Sequence, residues 1–352
     1  MAGARLGGGS RRGGGVRLGG VVEVRVGTWN LENLFEPGGE FGPTPAVYAA
    51  KLDALAATIT AMAPDLLGLQ EVGSPAALGQ LVARLDGDWQ VVTSKQFEAR
   101  HPIRVGFLSR HPIEIIADRR TFPAGLAPVQ VSDPGPEGTL TAAAGAGRGA
   151  LAVRIQPPGG PAIQVICCHL KSKLLSFSNP DGSPRFSPHN EGERARVAAY
   201  ALYRRAAEAT LVRSLADQAL TAGGQDGRTN PVVVLGDLND EPPAATTQIL
   251  FGPPGSQLDT PGFAAPDQGD RLRLWDLANR IPADQRYTRR FEGRGELIDH
   301  ILVSHALLDP LPTVEVVRAA GLAALPSIGT DPVARRAAPA SDHAAVLAHL
   351  TL

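Results

Sequence analysis

"VVVLGDLNDEP" (residues 232–242) decides how this chain is read. Three valines and a leucine run into Gly236, and Asp237, Asn239, Asp240 and Glu241 crowd the exit. A short apolar run that stops at a glycine reads as a buried strand. Unpaired carboxylates are costly to bury, so a polar cluster directly after such a strand belongs at the rim of a core. An Asx turn after the strand would explain Asp237 and Asn239 with no function attached.

The pattern repeats along the chain. "VGTWNLEN" (26–33) sets Asn30 and Glu32 just past a strand, and "LLGLQEV" (66–72) ends on Gln70 and Glu71. "QVICCHLKSK" (164–173) runs out at His169, "ELIDHILVS" (296–304) carries Asp299 and His300, and "ASDHAAVL" (340–347) opens on Asp342 and His343. Taken singly, each has a plain reading as a turn, a capping neighbour or a satisfied core histidine. Taken together, polar residues where strands stop can converge on one edge of a sheet. Asp, Glu and Asn are hard oxygen donors that suit Mg²⁺, with Mn²⁺ or Ca²⁺ as alternatives. Zinc would want close-spaced Cys and His, and only Cys167, Cys168 and His169 come near that. Mg²⁺ needs one or two carboxylates, and Glu71 is the first candidate, with Glu32 and Asp342 behind it. Two histidines and spare carboxylates around such an ion point to chemistry on a phosphate.

The remaining sequence supplies a scaffold. Helical periodicity is expected over 46–62, 74–85 and 191–220, the last with Val197, Ala201, Leu211 and Leu215 on one stripe. Strands are expected from Val21, over 65–72, 89–94, 103–110, 113–117, 149–156, 162–170, 272–277, 296–304 and 313–319, and near the C-terminus. Residues 123–149, rich in Pro, Gly and Ala, read as a surface insertion. Many strands with few helices and no steady βαβ alternation imply an α/β sandwich with much antiparallel pairing. One domain is expected over 21–352, behind a flexible Gly/Arg-rich tail over 1–20.

Composition narrows the class. The 352 residues are 43% hydrophobic, enough for a sizeable core. Lys plus Arg (34) nearly equals Asp plus Glu (35), which argues against a general basic coat for nucleic acid but not against a local groove. The two cysteines are adjacent, and strand neighbours face opposite ways, so no disulfide between them is expected. No run of eighteen apolar residues appears, so no transmembrane segment is expected. The absence of an apolar signal after Arg11 and Arg12 favours the cytoplasm. A monomer with no protein partner is expected.

The order Trp-Asn-x-Glu, Gln-Glu, His-Leu-Lys, Gly-Asp-x-Asn, Ile-Asp-His-Ile-Leu, Ser-Asp-His resembles the endonuclease/exonuclease/phosphatase superfamily, over nearly all of the chain after its tail. The resemblance implies a four-layer α/β/β/α sandwich: two packed, mostly antiparallel sheets flanked by helices, with the active site at one edge. It implies Glu71 as metal ligand, with Glu32 and Asp342 nearby, and Asn30 supporting metal and phosphate. It implies Asp237 and Asn239 at the attacking water and phosphate, His343 held by Asp299, and His169 as in deoxyribonuclease-like and sphingomyelinase-like members. Arg110, Arg148, Lys171 and Lys173 are candidates for a phosphate groove, or for an ordinary solvated face. The expected activity is a metal-dependent phosphodiesterase acting on nucleic acid, most simply a DNA endonuclease. The alternative is a phosphatase or a phospholipid- or sphingomyelin-type phosphodiesterase, and the residues leave open whether Asp237 or His343 is the base.

Overall fold

The computed structural model describes residues 21–38, 42–99, 102–133, 141–179, 183–252, 257–259, 268–331, 334–335 and 337–352. The expected tail (1–20) and part of the expected insertion (134–140) lie outside the described residues.

The main elements follow the chain as β1 (Glu23–Leu34), α1 (Pro45–Met62), β2 (Leu66–Val72), α2 (Pro75–Val82), β3 (Gln90–Thr93), β4 (Arg104–Ser109), β5 (Ile113–Thr121) and β6 (Gly145–Ile155). Then come β7 (Ile163–His169), α3 (Glu191–Leu220), β8 (Val232–Asp237), α4 (Ala245–Phe251), β9 (Trp275–Asp276), β10 (Asp299–Val303), β11 (Thr313–Val317) and β12 (Ala345–Thr351). They form two six-stranded sheets, ordered β11-β12-β1-β2-β4-β3 and β9-β10-β8-β7-β6-β5.

The four layers follow from alternation along the strands. In β8, Val233 and Leu235 face the core between the sheets, with Val26, Phe107, Val165, Ile301 and Val346. Val232 and Val234 face the other way, onto α3 and α4 through Val212, Ala216 and Leu250. A strand buried on both faces has no polar positions to alternate with, hence the unbroken apolar run. The first sheet repeats the arrangement, with Trp29, Leu67 and Leu347 under Leu52, Leu55 and Ile59 of α1 and Leu78 of α2. Cys167 and Cys168 are free and divide between the inner and outer cores, as strand neighbours must.

Each sheet holds one parallel pair among antiparallel ones: β1 with β2, and β7 with β8. This placement fixes the site, because parallel neighbours end at the same edge. Asn30 pairs with Gln70 at the end of one pair, and His169 with Asp237 at the end of the other. The antiparallel partners begin where these end: Asp299 of β10 lies opposite Asp237, and β12 starts beside the exit of β1. A Cβ on Gly68 would lie 2.2 Å from Leu235 Cδ1, so the sheets approach too closely there for a side chain.

Two expectations are corrected, and one helix had no expectation. The strand expected over 272–277 shrinks to Trp275–Asp276, because Asp276 Oδ1 accepts from Ala278 N–H (2.9 Å) and caps a 3₁₀ turn over Leu277–Arg280. The expected insertion ends before 145, where β6 starts on a glycine-rich run that packs closely on Arg120. The helix α4 was not anticipated: seven residues are too few to show a helical period.

Candidate active site

Asp237 stands at the centre of the shared edge. Gly236, just before it, adopts φ +145°, and a Cβ there would lie 1.9 Å from Cys168 O. Only glycine lets β8 close on β7 at that point, which explains the Gly-Asp pair. Asp237 Oδ1 accepts from Asn239 N–H (2.8 Å), and Oδ2 accepts from Asn30 Nδ2 (2.9 Å). Asn30 Nδ2 also donates to Glu71 Oε1 (3.2 Å), while its Oδ1 accepts from Glu32 N–H (2.9 Å). The Asn30 amide therefore bridges the two carboxylates, and both its N–H groups are in use. The resemblance implies that Asn30 supports metal and phosphate; its amide hydrogens meet the two carboxylates.

The C-terminal segment completes the edge. His343 Nδ1 lies 2.7 Å from Asp299 Oδ2, and its Nε2 lies 4.0 Å from Asp342 Oδ1. The first motif holds this histidine in place: Trp29 Nε1 donates to His343 O (3.0 Å), Ser341 Oγ donates to Asn30 O (2.7 Å), and His343 N–H donates to Ser341 Oγ (3.0 Å). Asp299 Oδ1 is buried without a hydrogen-bond partner among the described residues. His169 Nε2 lies 3.4 Å from Asp237 Oδ2 and 3.9 Å from Glu71 Oε1.

Burial and charge separate the protonation states. Burial opposes charge on His343, but Asp299, then Asp342 and Asp237, outweigh it and push the imidazole up to about 10. Burial, reinforced by Asp299, pushes Asp237 up to about 6. Burial, with Arg148 and His343, holds His169 well below the usual imidazole range, so it is neutral. At neutral pH the edge carries an ionised Asp237, a cationic His343 and a neutral His169. Ligand atoms of Asp237, Asp299 and His343 lie within 4.8 Å of one another, close enough to surround one cation. The imidazolium already supplies a positive charge there, and a protonated imidazole cannot ligate a metal.

Over residues 27–343 the chain matches the Endonuclease/Exonuclease/phosphatase family. The chain belongs to that family. Its members hydrolyse phosphoester bonds, include nucleases, phosphodiesterases and phosphatases, and are typically dependent on a divalent metal. No curated protein matches the chain. Solved structures share the family's fold. Truncated Caenorhabditis elegans TDP2 is 14% identical at a TM-score of 0.51, covering 94% of this chain and 98% of that one. An endonuclease/exonuclease/phosphatase from Bacteroides vulgatus is also 14% identical at 0.51, with 94% and 98% covered.

In this member of the endonuclease/exonuclease/phosphatase family, the remaining candidates divide. Glu71 sits at φ +59°; its oxygens take one donor each from Asn30 Nδ2 and Asn33 N–H (2.8 Å), and its side chain is 17% exposed. It therefore keeps lone pairs open toward the cleft. Glu32 is more occupied: Arg335 donates to both its oxygens, at 2.6 and 2.8 Å. Arg148 Nη1 donates to Leu170 O (3.0 Å), one residue past His169. Lys171 Nζ donates to Ser172 O and Leu174 O (3.2 Å each), and Lys173 pairs with Asp240 (3.1 Å). These side chains hold the loop after His169, and burial pushes Lys171 down to about 7.

Arg110 is not at the site. It stacks on Trp89 at 3.8 Å and donates to Asp86 O (2.9 Å), while its N–H donates to Asp65 O ahead of β2. Because β4 runs antiparallel to β2, its exit lies at the opposite edge from Glu71.

Reasoning from sequence also missed supporting groups. Lys51 lies buried in α1 and donates to Glu32 O. Glu208 of α3 accepts from Gly147 N–H (3.0 Å) and Lys171 N–H (2.5 Å), clamping the strands that carry Arg148 and His169. A signal existed for it: Glu208 lies on the same heptad-spaced stripe as Ala201 and Leu215, so a charge there had to be paired. Arg335 lay in a stretch with no readable period.

No helix among the described residues is long and apolar enough to cross a membrane.

Proposed function

We propose that the protein is a divalent-cation-dependent phosphodiesterase that hydrolyses DNA by in-line attack of water on phosphorus. The observation that carries this reading is the convergence of two buried groups of opposite character: Asp237 and His343 lie within 4.8 Å of each other, His343 held by Asp299 at 2.7 Å, with Asp237 pushed up to about 6 and His343 to about 10. A carboxylate poised near neutrality suits removal of a proton from water. An imidazolium held by Asp299 suits the developing charge on a phosphoryl oxygen. That division favours Asp237 over His343 as the base. Asn30 and Asn239 hold Asp237 in its orientation, and the second Nδ2 hydrogen of Asn239 remains for a phosphate oxygen beyond its bond to Leu170 O (3.0 Å).

Glu71, with Asp342 beside His343, would hold the cation. Glu71 offers open oxygen lone pairs, a donor set that fits Mg²⁺ and not zinc. Once bound, the ion offsets phosphate charge and the charge that builds on the leaving oxygen. DNA is favoured over other diesters by the forms "WNLENLF" and "HLKSK", which resemble deoxyribonuclease-like members.

The test is hydrolysis of plasmid DNA, RNA, a chromogenic diester and inositol phosphates, each with Mg²⁺ and with chelator. Cleavage of plasmid and chromogenic diester that chelator abolishes is expected. Turnover of inositol phosphates alone would replace the reading with that of a phosphatase, and plasmid cleavage surviving His343→Ala would refute the site.

A further inference from the structure

Three carboxylates border the cleft on the side of Glu71, yet they are not equivalent. Among the described residues, Glu71 accepts only from neutral donors, Asn30 Nδ2 and Asn33 N–H. Glu32 instead meets a guanidinium fork: Arg335 Nε donates to Oε1 (2.6 Å) and Nη2 to Oε2 (2.8 Å). Oε2 also accepts from Asp342 N–H (2.9 Å), so three donors crowd this one carboxylate. Each oxygen offers two lone pairs, which leaves Glu32 a single one, on Oε1. Arg335 is anchored further through Nη2 to Ala340 O (2.9 Å), and Lys51 donates to the backbone carbonyl of Glu32. The described residues thus bring Arg335 and Lys51 to the Glu32 side and no cationic donor by hydrogen bond to Glu71.

We propose that Arg335 takes the place of a second divalent ion, so that the site binds one cation, on Glu71. A bidentate guanidinium matches a carboxylate in geometry and neutralises it permanently, since arginine stays protonated. A metal ion entering at Glu32 would have to displace that fork while facing Lys51. Arg335 is then a positioning residue. It fixes Glu32, through Glu32 the Asp342 amide, and so the turn that delivers His343. This inference rests on the cation-dependent reading above.

Counting Mn²⁺ bound to the metal-stripped full-length protein tests it, by titration followed with the electron paramagnetic resonance of free Mn²⁺. Wild type is expected to bind one ion, Arg335→Met two, and Arg335→Met with Glu32→Gln one again. Glu71→Gln should abolish the wild-type ion, and Glu32→Gln alone should leave it. Two ions of comparable affinity in wild type would overturn the proposal without touching the function. So would a single ion that survives Glu71→Gln and disappears in Glu32→Gln. A count that stays at one in a folded Arg335→Met protein, judged by an unchanged circular dichroism spectrum, would overturn it too; should Arg335→Met not fold, Arg335→Gln, which also removes the charge, takes its place in the same count, with two ions expected and one overturning the proposal. No bound Mn²⁺ in wild type would remove the cation-dependent reading itself, and this inference with it.

Discussion

Asp237 carries the account at the scale of single residues, because its two neighbours pull it in opposite directions. Burial and Asp299 raise it, while His343 and the Asn30 hydrogen bond lower it, leaving it at about 6. The reactive form is the ionised one. Activity at saturating Mg²⁺ is therefore expected to rise as pH increases through about 6 and to flatten above it; a rate independent of pH between 5 and 7 would contradict that role. His343 has the reverse sign: its raised value means the charged form persists until pH approaches about 10. Asp299→Asn removes its nearest carboxylate at 2.7 Å, so the imidazole should titrate at lower pH in histidine-selective NMR. An unchanged titration would show that Asp299 does not hold the charge. The residue types in this pair were legible from sequence; their division of labour was not, because it depends on burial and distance.

Strand ends do the positioning at the scale of elements. Two parallel pairs put Asn30 beside Gln70 and Glu71, and His169 beside Asp237, at matching exits. The sequence showed that several strands stop on polar residues. It did not show which strands run parallel, and that is why Arg110, polar and just past a strand, was grouped with the wrong edge. The guanidinium fork on Glu32 was hidden for a different reason: Arg335 is 303 positions away, beyond any local pattern. Four of the non-glycine residues at positive φ, Glu32, Asn33, Glu71 and Asn239, lie on this rim, so the turns leaving the strands carry backbone strain. The pinch between β7 and β8 is equally local. Gly236→Ala would put a Cβ 1.9 Å from Cys168 O and should destabilise the fold by about 2–4 kcal/mol in urea denaturation; a loss below about 0.5 kcal/mol would mean that the strands do not close there.

Long-range pairing assembles the whole molecule's active edge. β12, the last strand, pairs with β1, the first, and Trp29 reaches across 314 positions to hold the His343 carbonyl. The layers were readable because apolar runs buried on both faces need helices on one side and a second sheet on the other. The convergence was readable only from the order of the motifs, since composition and periodicity carry no information about which segments meet. What that convergence must explain is chemistry. The most direct measurement is kcat/KM for plasmid DNA with excess Mg²⁺ in wild type and Asp237→Asn, with matching thermal unfolding to confirm the fold. A loss on the order of 10²–10⁴-fold with melting little changed is predicted, because the amide keeps the shape and loses the proton acceptor. A variant that cleaves within about threefold of wild type would contradict the account, since so small a ratio leaves no proton transfer for Asp237 to perform.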